Sequence, residues 1–126
     1  MGKEIKQGNL NGNAVISEDV LQSRCYQWAF NTYPQIRGLL FSVPNGSTRH
    51  ILEAQKLKAT GLTPGIPDMI LMHPVAMGIE FKTETGVISP AQSKIHAAWR
   101  VAGIPVHVIR TLEDFQHLIT DLMTRF

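Results

Sequence analysis

The chain of 126 residues has one cysteine, Cys25, so no intrachain disulfide can form and a cysteine-based zinc site is excluded. Its five histidines are scattered: no His-x₃-His pair or Glu-flanked helix motif occurs, which removes the usual histidine routes to zinc. On that ground His96 and His107 read as ordinary surface or interface residues. No apolar run approaches the length of a membrane span, and the opening MGKEIKQGNLNGNAV lacks the apolar stretch of a secretory signal. With a lone thiol, these absences point to a reducing, cytoplasmic setting. There is no internal repeat, no low-complexity segment and no long block of like charge. The length suits a single domain with one core. A net charge of +2 and a pI near 8.9 permit a nucleic-acid partner without requiring one.

What is present divides into short periodic segments. Residues 1–16, with Gly and Asn repeated and little apolar periodicity, read as a loose lead-in to a single domain over 17–126. Ser17 is suited to cap a helix over 18–32, whose Leu21, Cys25 and Trp28 recur at i, i+4, i+7. Leu39–Val43 reads as a buried strand ending at the turn Pro44-Asn45-Gly46. A helix over 50–60 is expected to stop at Gly61. Two strands follow, near 68–72 and 77–83, joined through His73-Pro74-Val75-Ala76. Ser89-Pro90 opens another helix, with Ala91, Ile95, Ala98 and Ala102 as the expected apolar stripe and Gly103 as its end. Residues 105–110 form a strand. Thr111 caps a last helix with Phe115, Leu118, Leu122 and Phe126 facing inward. The order α-β-α-β-β-α-β-α predicts an α/β fold, a mixed sheet flanked by helices.

The chemistry lies in Gly65-Ile66-Pro67-Asp68 and, after eleven intervening residues, Glu80-Phe81-Lys82. Residues opposite one another in an antiparallel pair share a face, as do alternate residues along a strand. A three-residue loop (73–75) sets Asp68 opposite Glu80; a five-residue loop (73–77) sets it opposite Lys82. Either register gathers Asp68, Glu80 and Lys82 on one face and sends Met69, Leu71, Ile79 and Phe81 to the other. Adjacent carboxylates repel and raise one another's pKa. A hard divalent cation relieves that conflict, since Mg²⁺ takes one or two carboxylates with waters and phosphate oxygens. The plainer alternative is that Glu80 and Lys82 are a solvated i,i+2 pair and Asp68 caps a turn. Against it, Glu80-Phe81-Lys82 lies among apolar residues, as in an internal strand.

Pro67-Asp68 with Glu80-Phe81-Lys82 matches the PD-(D/E)XK nuclease signature. Together with Pro44-Asn45-Gly46, Lys56-Leu57-Lys58-Ala59-Thr60-Gly61, Gly65-Ile66-Pro67-Asp68 and Gly86-Val87-Ile88-Ser89-Pro90-Ala91-Gln92, the series resembles the VRR-NUC family of that superfamily over roughly residues 17–115. The valine-arginine-arginine stretch behind the family's name is not literal here, where the region reads Gly61-Leu62-Thr63-Pro64-Gly65. The resemblance implies a restriction-endonuclease-like core and a metal-dependent endonuclease that hydrolyses DNA phosphodiester bonds. It implies Mg²⁺, with Mn²⁺ as a substitute, held by Asp68 and Glu80. It extends to the family's small stand-alone members, which resemble Holliday-junction resolvases, act on branched or junction DNA and form homodimers. The alternative on the same fold is a DNA-binding module that does not cut.

The same resemblance assigns supporting residues. Such nucleases bring a further acid from the first helix, for which Glu18 is the candidate metal-side acid, with Asp19 the alternative. By itself, an acid there also complements the helix dipole. Gln92 has two roles open to it: a capping box returning to Ser89, or a contact at the reacting centre. Lys56 and Lys58, on the expected second helix, and Arg49 just before it would contact phosphates, and Asn45 would approach the DNA.

Overall fold

The computed structural model of the protein describes residues 16–44, 55 and 58–126. Helix α1 (Glu18–Thr32) begins as its sequence dictates, with the Ser17 hydroxyl accepting from Val20 N at 3.2 Å. It buries Leu21, Cys25 and Ala29. A 3₁₀ turn (Pro34–Ile36) leads to strand β1 (Leu40–Ser42). The expected loose segment 1–16, the turn Asn45-Gly46 and residues 50–54, 56 and 57 of the second helix lie outside the described residues, Ile16 excepted. Gln55, Lys58 and Ala59 are helical, and Gly61, at φ +114°, ends that stretch as expected.

Strands β2 (Met69–Met72) and β3 (Ala76–Phe81) form the hairpin, followed by helix α2 (Pro90–Val101), strand β4 (Val106–Ile109) and helix α3 (Leu112–Arg125). The sheet order is β1-β2-β3-β4; the first two pairings are antiparallel and β3–β4 is parallel. The mixed α/β sheet flanked by helices is thus the fold that the sequence predicts. The hairpin loop is the three-residue one, 73–75, because Met72 pairs with Ala76 and Met69 with Ile79.

The sheet separates two environments. One face presents Met69, Leu71, Met77, Ile79 and Phe81, all buried against Leu21, Cys25 and Ala29 of α1 and Phe115 and Ile119 of α3. Phe115 joins the layers, its ring 6.1 Å from that of Phe81 and edge-on to Trp28 at 6.1 Å. The other face carries Gly78, Glu80 and Lys82.

Four expectations need correction. The strand expected to be buried over Leu39–Val43 buries only Leu40, while Leu39 and Phe41 are exposed, because β1 is the edge strand of the sheet. Ala91, Ala98 and Ala102 of α2 are exposed; the residues at least partly withdrawn from solvent are Gln92, Ile95, His96 and Trp99. The helix is rotated from the apolar stripe because it lies over polar side chains, which call for polar partners. For the same reason His96 is not a surface residue but is buried, 2 % exposed. Phe126 is exposed because it follows the last helical residue, Arg125, and Ile119 takes the buried position instead.

Candidate active site

Backbone hydrogen bonding explains why Asp68 sits where it does. In β3 the odd-numbered N–H groups point toward β2, and the β2 ladder ends at Met69. The Phe81 N–H therefore has no carbonyl to meet and donates instead to Asp68 Oδ2 at 2.7 Å. From the other side Val43 N donates to the Asp68 carbonyl at 2.8 Å, so the aspartate is held through both its backbone and its side chain.

The loop before it is held by close packing. Gly65, at φ +89°, lies against the first turn of α2: a Cβ there would meet the Ala91 carbonyl oxygen and come within 2.9 Å of Gln92 N. At Gly78 a Cβ would lie 2.7 Å from Pro67 Cγ and 2.9 Å from Trp99. These two glycines let the Gly65–Asp68 loop, β3 and α2 approach one another closely, which brings their polar side chains together.

Among the described residues Glu80 is the most enclosed acid, 1 % exposed. Gln92 Nε2 donates to its Oε2 at 3.0 Å. The same Gln92 closes a capping box: Ser89 N donates to Gln92 Oε1 at 2.9 Å, and Gln92 N donates to Ser89 Oγ at 3.1 Å. The capping box expected of Gln92 is thus present, and because the Ser89 N–H occupies the amide oxygen, the NH₂ is free to reach Glu80. Glu80 Oε1 has no hydrogen-bond partner; neither has His96 Nε2, 3.5 Å away.

Burial pushes the Glu80 carboxyl up to about 8, and Asp68 adds to this by its charge and by a shared hydrogen bond. Lys82 opposes the shift, and Glu18 adds to it. Burial, with Arg100 and Lys82 nearby, lowers the pKa of His96, against Asp68, which raises it.

Of the residues expected at the site, Asp68, Glu80, Lys82 and Gln92 therefore come together. Glu18 lies close enough for its charge to act on Glu80. Among the described residues, however, no three His, Cys, Asp or Glu side chains converge as a ready ligand set. Asp19 is exposed and borders an open groove with Tyr26, Phe41 and Ser42. Lys58 is exposed; Asn45, Arg49 and Lys56 lie outside the described residues. Sequence reasoning missed His96, although its i+4 spacing from Gln92 places it on the same helix face. It also missed Arg110, whose Nη1 donates to the carbonyls of Thr83 and Gly86, each at 2.7 Å, and holds the turn after Lys82.

Two acids and a lysine thus share one sheet face, beside Gln92 and the buried His96 of α2. A model of the VRR-NUC domain matches residues 9–112, and the chain belongs to that family. Membership implies a nuclease-like domain with DNA as its substrate or partner. A solved structure named VRR_NUC domain protein superposes with a TM-score of 0.72 at 20 % identity, covering 86 % of this chain and 89 % of its own, a likeness of fold. No curated protein gives a match. Among the described residues no helix is long and apolar enough to cross a membrane.

Proposed function

We propose that residues 17–126 form one PD-(D/E)XK-type nuclease domain, a metal-dependent DNA endonuclease acting in the cytoplasm as a homodimer on branched or junction DNA. The observation that carries this reading is the pairing of Asp68 with the buried Glu80, whose carboxyl is pushed up to about 8. A buried Glu80 facing the half-buried Asp68, with one Glu80 oxygen left without a partner, fits a divalent cation that relieves the repulsion between the two carboxylates. Asp68 and Glu80 would hold Mg²⁺, or Mn²⁺ in its place, and Glu18 would add negative charge at longer range.

When bound, the ion would polarise the phosphoryl oxygens and lower the pKa of the attacking water. Gln92 fixes the Glu80 carboxylate. The ammonium of Lys82 offsets the negative charge that builds on the phosphoryl group as the bond to the leaving oxygen breaks. Arg49, Lys56 and Lys58 would contact backbone phosphates, with Asn45 near the strand. Preference for a junction requires two active sites on one substrate, hence the dimer.

The test is cleavage of labelled single-stranded, duplex, flap and four-way-junction DNA with Mg²⁺, Mn²⁺ or EDTA, alongside sedimentation. The reading expects cutting only with metal, fastest on branched substrates, by a dimer. DNA binding without cutting under all conditions would favour the binding module.

A further inference from the structure

On α2, Gln92 and His96 are one turn apart, and both are directed at Glu80. Gln92 Nε2 reaches Glu80 Oε2 at 3.0 Å, and His96 Nε2 stands 3.5 Å from Glu80 Oε1. The second contact lacks hydrogen-bond geometry, yet both atoms are sealed from solvent and neither has another partner. Buried polar atoms are rarely left unpaired, and two that face each other this closely mark a bond that a small shift would complete. A histidine serving only to fill space would not need to aim its nitrogen at a carboxylate. An apolar residue would fill the same volume without leaving a buried N–H or lone pair unmet.

We infer that His96 is a positioning residue that orients the Glu80 carboxylate for the cation, acting on Oε1 while Gln92 holds Oε2. This rests on the metal reading proposed above. As Oε1 is drawn into place, Nε2–H donates to it, and the carboxylate is then gripped at both oxygens by one helix face. Partners that hold a ligating carboxylate in this way set its direction, and losing one weakens metal binding by about 10- to 100-fold. Gly65 and Gly78 support the arrangement, because they let α2 come close enough for both side chains to reach Glu80.

Methionine and glutamine are nearly equal in length and differ in the N–H donor, so His96→Met and His96→Gln separate donation from packing. The measurement is Mn²⁺ affinity, read from free Mn²⁺ by electron paramagnetic resonance, beside thermal denaturation. His96→Met is expected to bind Mn²⁺ about 10- to 100-fold more weakly than wild type, and His96→Gln to recover most of that loss. Equal affinity in wild type and His96→Met would overturn the assignment, as would equal weakening in both variants. A wild type that binds no Mn²⁺ would overturn it too, but by removing the metal reading beneath it; the first two outcomes leave that reading standing.

Discussion

Asp68 stands opposite Glu80, one step beyond the Met69–Ile79 pair, and its carboxylate accepts the Phe81 N–H at 2.7 Å where the β2 ladder has ended. One side chain thus both finishes the sheet's hydrogen bonding and supplies half of the acid pair. The two duties separate on substitution. Asn keeps an acceptor for Phe81 N but carries no charge, so Asp68→Asn should melt close to wild type while losing cleavage by at least about 100-fold. Asp68→Ala should lose cleavage and also about 1–3 kcal/mol of stability, because the N–H is left unmet. Urea denaturation beside a cleavage assay checks both. Equal stability of the two variants would count against the structural duty.

The Glu80 carboxyl makes stability depend on pH. Its folded pKa, about 8, is above the ordinary 4.5, first through burial and then through Asp68. The native protein therefore holds a proton that the unfolded chain releases. The stability this confers is fully present below about pH 4.5 and is lost as pH rises to about 8. Without divalent cations, wild type should weaken over that interval in urea denaturation, and Glu80→Gln should give a flatter profile. A Glu80→Gln slope as steep as that of wild type would place the pH dependence elsewhere.

The two close-packed glycines should differ in tolerance. At Gly78 an added methyl meets the Pro67 and Trp99 rings but no backbone, so Gly78→Ala should cost about 1–3 kcal/mol. At Gly65 it meets the Ala91–Gln92 backbone and must also adopt φ +89°, so Gly65→Ala should cost more. Chemical denaturation ranks them; the reverse order would contradict the account of how α2 is docked.

Arg110 is expected to stabilise the turn that follows Lys82. Replacing it with Met leaves the Thr83 and Gly86 carbonyls without their charged donor and should cost about 1–3 kcal/mol. Hydrogen exchange should quicken at the Gly86 amide, which donates to Thr83 O within that turn. Unchanged exchange there would show that the turn holds without the guanidinium.

Much of the fold was legible because it follows period and punctuation. The alternation Met69, Leu71, Ile79, Phe81 marked the buried sheet face, and an odd loop length placed Asp68, Glu80 and Lys82 together on the other. Ser17, Ser89 and Thr111 cap their helices as read, each side chain accepting from a backbone N–H. The orientation of α2 was not legible, because apolar periodicity locates the core, whereas this helix turns Gln92 and His96 toward an acid. His96 was passed over for the same reason: its role comes from a partner sixteen positions away. Nor did the local pattern show Arg110, whose contacts bridge two loops distant in sequence.

The central claim is that Lys82, beside the acid pair, acts on the breaking phosphodiester bond and does not merely hold DNA. Its most direct test is a single-turnover time course on labelled four-way-junction DNA with saturating Mg²⁺, comparing wild type with Lys82→Ala and measuring DNA affinity of both. The account predicts cleavage about 100- to 1,000-fold slower in Lys82→Ala, DNA affinity within about threefold of wild type, and no cutting by either in EDTA. Wild-type cleavage that persists in EDTA, or a Lys82→Ala variant that cuts at the wild-type rate, would contradict it.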